Sequence, residues 1–191
     1  MNRKYLLFLI YGPSGTGKSS VLKIAKETNN SVTIHKKDTN RKPRKGEDIS
    51  QGGTFDLNFV NDFKNIDPYE IIYRKYDHLY GVRKDLLLNA FKNKEIHFII
   101  INDIEALKDF KNMHPEAKLV YIHTNPEDIP KNVQKREGVP FNERYERVKQ
   151  GYIEFIENNT LFDHIIVNFW DIENSHRQLQ NIIRAYINKK D

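Results

Sequence analysis

Residues 12–19 read Gly-Pro-Ser-Gly-Thr-Gly-Lys-Ser, directly after an apolar run over residues 5–11 and just ahead of a helical pattern over residues 19–27. Glycines at 12, 15 and 17 allow positive φ angles and a close approach of the backbone to a ligand. Successive N–H groups of such a turn converge, and the N-terminus of the following helix adds partial positive charge. The pattern G-x-x-x-x-G-K-[ST] between a strand and a helix therefore predicts a phosphate-binding loop. On this reading Gly12, Pro13, Ser14, Gly15, Thr16, Gly17, Lys18, Ser19 and Ser20 are the candidate ATP contacts. Lys18 would reach the β- and γ-phosphates, and the Ser19 hydroxyl would hold Mg²⁺.

The rest of the chain alternates short apolar runs with helical patterns. Strands are expected over residues 31–34, 70–73, 96–101, 118–123 and 165–167. Helices are expected over 83–92, 104–110, 126–136, 141–158 and 172–187. Apolar strands separated by helices predict an α/β fold, an open, mostly parallel sheet flanked by helices, whose ligands lie beyond the carboxyl ends of the strands. We expect one domain over residues 1–191, with its core in 1–36, 81–130 and 160–191. Residues 37–80 depart from strict alternation and read as an inserted acceptor-binding region, with 37–53 a polar loop. Residues 131–150, rich in charge with a glycine and a proline, read as a lid.

Composition removes several functional classes. The chain has no cysteine, which excludes disulfides, thiolate catalysis and Cys-ligated zinc. No apolar run approaches the roughly 20 residues of a membrane span. The apolar N-terminal run lacks a cleavage site and leads into the glycine turn, so it reads as a buried strand rather than a signal peptide. A cytoplasmic, monomeric or homodimeric protein is expected, with small-molecule nucleotides rather than membrane or nucleic acid as partners. The net charge of +5 fits that reading, because the basic residues cluster without the interleaved aromatics of a single-strand platform. One cluster holds Lys36, Lys37, Arg41, Lys42, Arg44 and Lys45; the other holds Lys131, Lys135, Arg136, Arg144 and Arg147. The seven histidines show no metal-ligand spacing.

Arg41 and Arg44, separated by two residues in a loop with Pro43 and Gly46, suit bidentate capture of a phosphate. The phosphate loop followed by Thr39-Asn-Arg41-Lys-Pro43-Arg44-Lys-Gly46-Glu47 resembles guanylate kinase. Tyr80-Gly81, Asp103 and the stretch Phe162–Asn168 carry the likeness across nearly the whole chain. The resemblance implies a P-loop kinase fold and transfer of the γ-phosphoryl group of ATP to GMP or dGMP. It implies that Arg41, Arg44 and Tyr80 hold the acceptor's phosphate and that Glu70 and Asp103 read guanine, whose N–H donors require acceptors. It places Arg136 and Arg147, with Arg144 beside them, in the lid over the transferring group, and Asn168 near adenine. Lys18, Arg44, Arg136 and Arg147 are the expected catalytic set.

The sequence departs from the family pattern at Lys37, Val82 and Ile101, where the family has a serine, a hydroxyl residue and an acid. It also has no clean counterpart of the family's phosphate-binding tyrosine, with Phe55 or Leu57 near that place. Two alternatives stay open on those grounds. One is a kinase for another phosphorylated acceptor, such as another nucleotide or a ribose bisphosphate. The other is a non-catalytic interaction module, against which the intact phosphate loop argues.

Overall fold

A computed structural model describes residues 5–44, 47, 49, 53–92, 95–125, 141–169 and 171–187. In chain order the elements are β1 (Leu6–Tyr11), α1 (Lys18–Thr28), β2 (Val32–Ile34), β3 (Lys37–Thr39), β4 (Leu57–Phe59), β5 (Tyr69–Lys75), β6 (His78–Arg83), α2 (Lys84–Lys92), β7 (Ile96–Ile100), α3 (Ile104–Met113), β8 (Lys118–His123), α4 (Phe141–Glu157), a 3₁₀ turn (Asn159–Leu161), β9 (His164–Val167) and α5 (Ile172–Ile187). The helix expected over 126–136 lies outside the described residues.

Five strands form a parallel sheet in the order β2–β7–β1–β8–β9. Its central strand β1 has no polar residue and is buried on both faces, as a parallel strand between helical layers must be. Alternate residues divide between two cores. Leu7, Leu9 and Tyr11 join Leu107 and Phe110 of α3 and Phe155 of α4 on one side. Phe8 and Ile10 join Val21 and Leu22 of α1 and Leu179 and Ile183 of α5 on the other. Because every strand runs the same way, β1, β7, β8 and β9 all deliver their C-terminal ends to one edge, where the glycine loop begins.

The second sheet, in the order β4–β3–β6–β5, occupies residues 37–83. It includes three strands that periodicity does not reveal. β3 is only Lys-Asp-Thr and falls inside the expected loop, yet all three residues are buried. Its strand state comes from pairing with β4 and β6, a tertiary effect that overrides weak local preference. β4 is only Leu-Asn-Phe, and β6, His-Leu-Tyr-Gly-Val-Arg, is polar at its ends and carries a glycine. β5 and β6 join through a two-residue turn, Tyr76-Asp77, with φ of 49° and 63°. Paired left-handed residues make the hairpin turn whose twist matches antiparallel strands, and aspartate tolerates that region.

Pairing of β3 has a marked electrostatic consequence. Lys37, expected in a basic cluster within a polar loop, is only 2% exposed. Its ammonium lies 3.4 Å from the Tyr73 hydroxyl and over the Tyr80 ring. Burial lowers its pKa from 10.5 to about 8, with Asp56 partly opposing the shift and Arg41 reinforcing it. The unfolded chain thus keeps this proton up to pH 10.5 and the folded chain only to about 8. Folding stability contributed by this group therefore climbs as pH rises from about 8 to 10.5 and is lowest, and flat, below about 8. Removing the charge with a side chain of similar volume relieves a cost of a few kcal/mol. Lys37→Met is expected to raise stability at pH 7 by about 1–3 kcal/mol in urea unfolding and to flatten the rise above pH 8; equal stability of the two proteins across that range would refute the charged-lysine account.

Candidate active site

A cavity of about 720 Å³ opens at the C-terminal edge of the parallel sheet. One end is the glycine loop. Gly12 has φ 152°, and a Cβ there would meet the Ile122 carbonyl oxygen at 2.6 Å, so no larger residue fits. Gly17, at φ 87°, is the N-terminal cap of α1. The loop is braced from behind by Asn168, which is 3% exposed. Asn168 Nδ2 donates to the Thr16 carbonyl at 3.0 Å, while its Oδ1 accepts from the Ser175 hydroxyl at 3.1 Å. Its own backbone is held by His123 and Thr124. The side-chain amide of Asn168 is thereby committed to the loop, and the residue does not line the cavity.

Gly12, Pro13, Ser14, Gly15, Gly17, Lys18 and Ser19 line the cavity. Thr16 is fully buried behind them, its hydroxyl donating to Pro13 O, and Ser20 is exposed outside the lining. Lys18 Nζ donates to the carbonyls of Gly12 and Pro13, both at 2.7 Å, which holds the ammonium across the loop.

The opposite wall comes from the second sheet and the loop after β3. Arg41, 6% exposed, is gripped by Glu47 through two hydrogen bonds of 2.7 and 2.9 Å and lies over the Phe59 ring. Burial alone would raise the Glu47 pKa, but hydrogen bonds from Arg41 and from the Arg44 backbone outweigh it and hold the carboxylate below its ordinary range. Arg41, Arg44 and Tyr80 all line the cavity. Burial raises the Tyr80 pKa, against the pull of Arg41 and Arg44, so its hydroxyl remains a donor.

Between the two ends stands α4. Arg147, Gly151 and Glu154 follow i, i+4, i+7 spacing and share the face that lines the cavity. A Cβ on Gly151 would sit 3.1 Å from the Pro13 ring, so glycine lets the helix approach the phosphate loop. Arg147 stacks on Tyr76 at 4.1 Å and pairs with Glu143. Glu154 accepts from Tyr11 and from Lys75, the latter at 3.0 Å; Lys75 also faces Asp103 at 3.6 Å. Burial opposes the charge on Lys75, but the hydrogen bond to Glu154 prevails and raises its pKa.

Two expected base-reading acids stand outside the lining. Glu70 accepts from or pairs with His114 at 3.0 Å. Asp103 caps α3 through the Ala106 N–H at 3.1 Å. Val82 and Ile101 are 1% and 0% exposed and belong to the core. Arg136 and the side chain of Arg144 lie outside the described residues.

Lys75, Tyr76, Asp56, Asn102 and Glu154 line the cavity without having been foreseen. The i, i+4, i+7 spacing on α4 was a legible signal for Glu154. The hairpin residues offered none, since their position depends on a turn 70 residues from the helix they meet. Among the described residues no helix is long and apolar enough to cross a membrane.

Comparison with known proteins agrees with this architecture. The guanylate kinase family model matches residues 4–186. A guanylate kinase of Fusobacterium nucleatum subsp. nucleatum is 30% identical over 93% of this chain and 95% of its own length. Another, from Caldanaerobacter subterraneus subsp. tengcongensis, is 25% identical over 97% of this chain and 89% of its own. The crystal structure of guanylate kinase from Anaplasma phagocytophilum superposes with a TM-score of 0.71 at 20% identity, covering 100% of this chain and 90% of that one. A strand–glycine loop–helix unit, an arginine-bearing second sheet and a family match over nearly every residue together place this chain in the guanylate kinase family.

Proposed function

We propose that the protein transfers the γ-phosphoryl group of ATP to a nucleoside monophosphate, GMP or dGMP. The observation that carries this reading is that Lys18 and Ser19 at one end and Arg41, Arg44 and Tyr80 at the other line a single cavity. Five cationic residues line it (Lys18, Arg41, Arg44, Lys75 and Arg147) against three carboxylates (Glu47, Asp56 and Glu154). That excess suits two polyanions brought end to end.

The loop amides and Lys18 would hold the β- and γ-phosphates of ATP. Arg44, with Arg41 oriented by Glu47, would fork the acceptor phosphate, and Tyr80 would add a hydroxyl donor. No general base is required, because the acceptor oxygen is already anionic; catalysis is alignment plus neutralisation of charge on the transferring group. Lys18 and Arg147 are suited to that neutralisation, and Arg136 is proposed to join them from the lid. Asp103 and Glu70 remain candidates for contact with the base through movement of their present partners.

The donor set also fits Mg²⁺. Ser19 lines the cavity beside Lys18, and a single hydroxyl with phosphate oxygens and water suits an ion that keeps several waters. Among the described residues no group of three His, Asp or Glu competes as a metal site. When bound, Mg²⁺ would supply charge neutralisation between the β- and γ-phosphates. We propose a cytoplasmic enzyme acting on free nucleotides.

A coupled assay of ADP formation with GMP, dGMP, IMP, AMP and ribose bisphosphate is expected to show highest kcat/KM with GMP or dGMP. Preference for a sugar bisphosphate, or no turnover at all, would reject the assignment. Lys18→Ala should lower kcat by about 100-fold or more, the scale of losing one preorganised donor to developing charge. Arg44→Ala should raise the acceptor KM roughly 10- to 100-fold with the ATP KM unmoved; an unmoved acceptor KM takes Arg44 out of the site.

A further inference from the structure

Asn102 lies just beyond the C-terminal end of β7, half-buried, and lines the cavity. Its hydrogen-bond partners come from the acceptor-side sheet rather than from the phosphate loop. The Tyr73 hydroxyl donates to Asn102 Oδ1 at 2.7 Å, and Lys37 Nζ stands 3.4 Å behind that hydroxyl. A backbone hydrogen bond from Asn102 acts on the Tyr73 hydroxyl as well. Tyr73 is in turn stacked on Tyr80, 5.5 Å away, the tyrosine of the acceptor wall.

The chain of donors has one direction. An ammonium has three N–H groups and no lone pair, so it can only donate. With Lys37 on one side, the Tyr73 hydroxyl turns its oxygen toward the cation and its proton away, and among the described residues the acceptor it meets is Asn102 Oδ1. The amide is thereby fixed with its oxygen toward the protein and its NH₂ group as the remaining end. Among the described residues Asn102 Nδ2 bonds to no protein group.

We propose that Asn102 reads the acceptor's base, presenting a side-chain N–H to a ring carbonyl oxygen, with Lys37 and Tyr73 as positioning residues that lock the amide in this sense. The inference rests on the nucleotide-acceptor reading and supplies a base-selecting contact for it, one that suits 6-oxopurines such as guanine and hypoxanthine rather than the 6-aminopurine adenine. A 6-amino group would oppose donor to donor across the same contact. It also gives a role to a buried lysine that costs stability, because a cation that can only donate reinforces the direction of the tyrosine proton, and so of the amide.

The test is steady-state kinetics with GMP, IMP and AMP on wild type, Asn102→Asp, Asn102→Ala, Tyr73→Phe and Lys37→Met. Asn102→Asp replaces the donor by an acceptor of the same shape. It is expected to lower kcat/KM for GMP and IMP roughly 10- to 100-fold through the acceptor KM, the scale of one mispaired buried group, with the ATP KM unchanged. Lys37→Met, the more stable protein, and Tyr73→Phe should narrow the GMP-to-AMP ratio of kcat/KM while leaving the ATP KM in place. A role in packing alone would not move that ratio. Wild type active on GMP, with the acceptor KM and the ratio unmoved in Asn102→Asp, overturns this inference and leaves the kinase assignment standing. Wild type inactive on every nucleoside monophosphate overturns both.

Discussion

The architecture depends on holding a glycine-rich turn rigid at the edge of a parallel sheet. Three glycines at positive φ carry that turn, and glycine there has the largest conformational entropy to lose on folding. The compensation comes from distant parts of the chain. Asn168, after β9, bonds the loop through Thr16, and Ser175 at the start of α5 fixes Asn168. Gly151 of α4 lets Pro13 pack against the helix. The loop is thus gripped from both layers, which fixes its conformation before any ligand arrives. Preorganisation of this kind removes reorganisation cost from the reacting complex.

Three of the cations lining the cavity are kept in place by carboxylates rather than left to repel one another. Glu47 holds Arg41, Glu154 holds Lys75, and Glu143 pairs with Arg147. Each pair fixes a cation's position, and the lining still holds more cations than carboxylates. The Lys75–Glu154 pair has a second effect, since it links the tip of the β5–β6 hairpin to the helix carrying Arg147, with Tyr76 stacked under that arginine. The second sheet and α4 are consequently tied together by side chains that line the cavity.

Lys37 shows where stability and site chemistry diverge. A fully desolvated ammonium beside two tyrosines is a poor choice for a core and a reasonable one for imposing polarity on a hydrogen-bond chain. The neighbouring Val82 and Ile101 are apolar and buried, and they take no part in lining the cavity.

Much was legible from the residues alone. The Gly12–Ser19 loop follows from strict local requirements on φ and on donor placement. The parallel sheet follows from apolar runs such as residues 96–101, which admit no solvated face. The pairing of Arg41 and Arg44 was visible because both lie within one short loop. What tertiary structure decided was everything that needed contacts between distant segments. Lys-Asp-Thr at 37–39 has no local reason to be a strand and becomes one by pairing with residues 20 and more than 40 positions away. Glu70, Asp103 and Asn168 have side chains suited to a ligand, yet His114, the α3 N-terminus and the phosphate loop engage them. Asn102 carried no motif, and its orientation is set by a cation and a hydroxyl on two other strands. Local sequence dictates backbone conformations and which groups can donate or accept; which partner each group meets is settled only when the chain closes on itself.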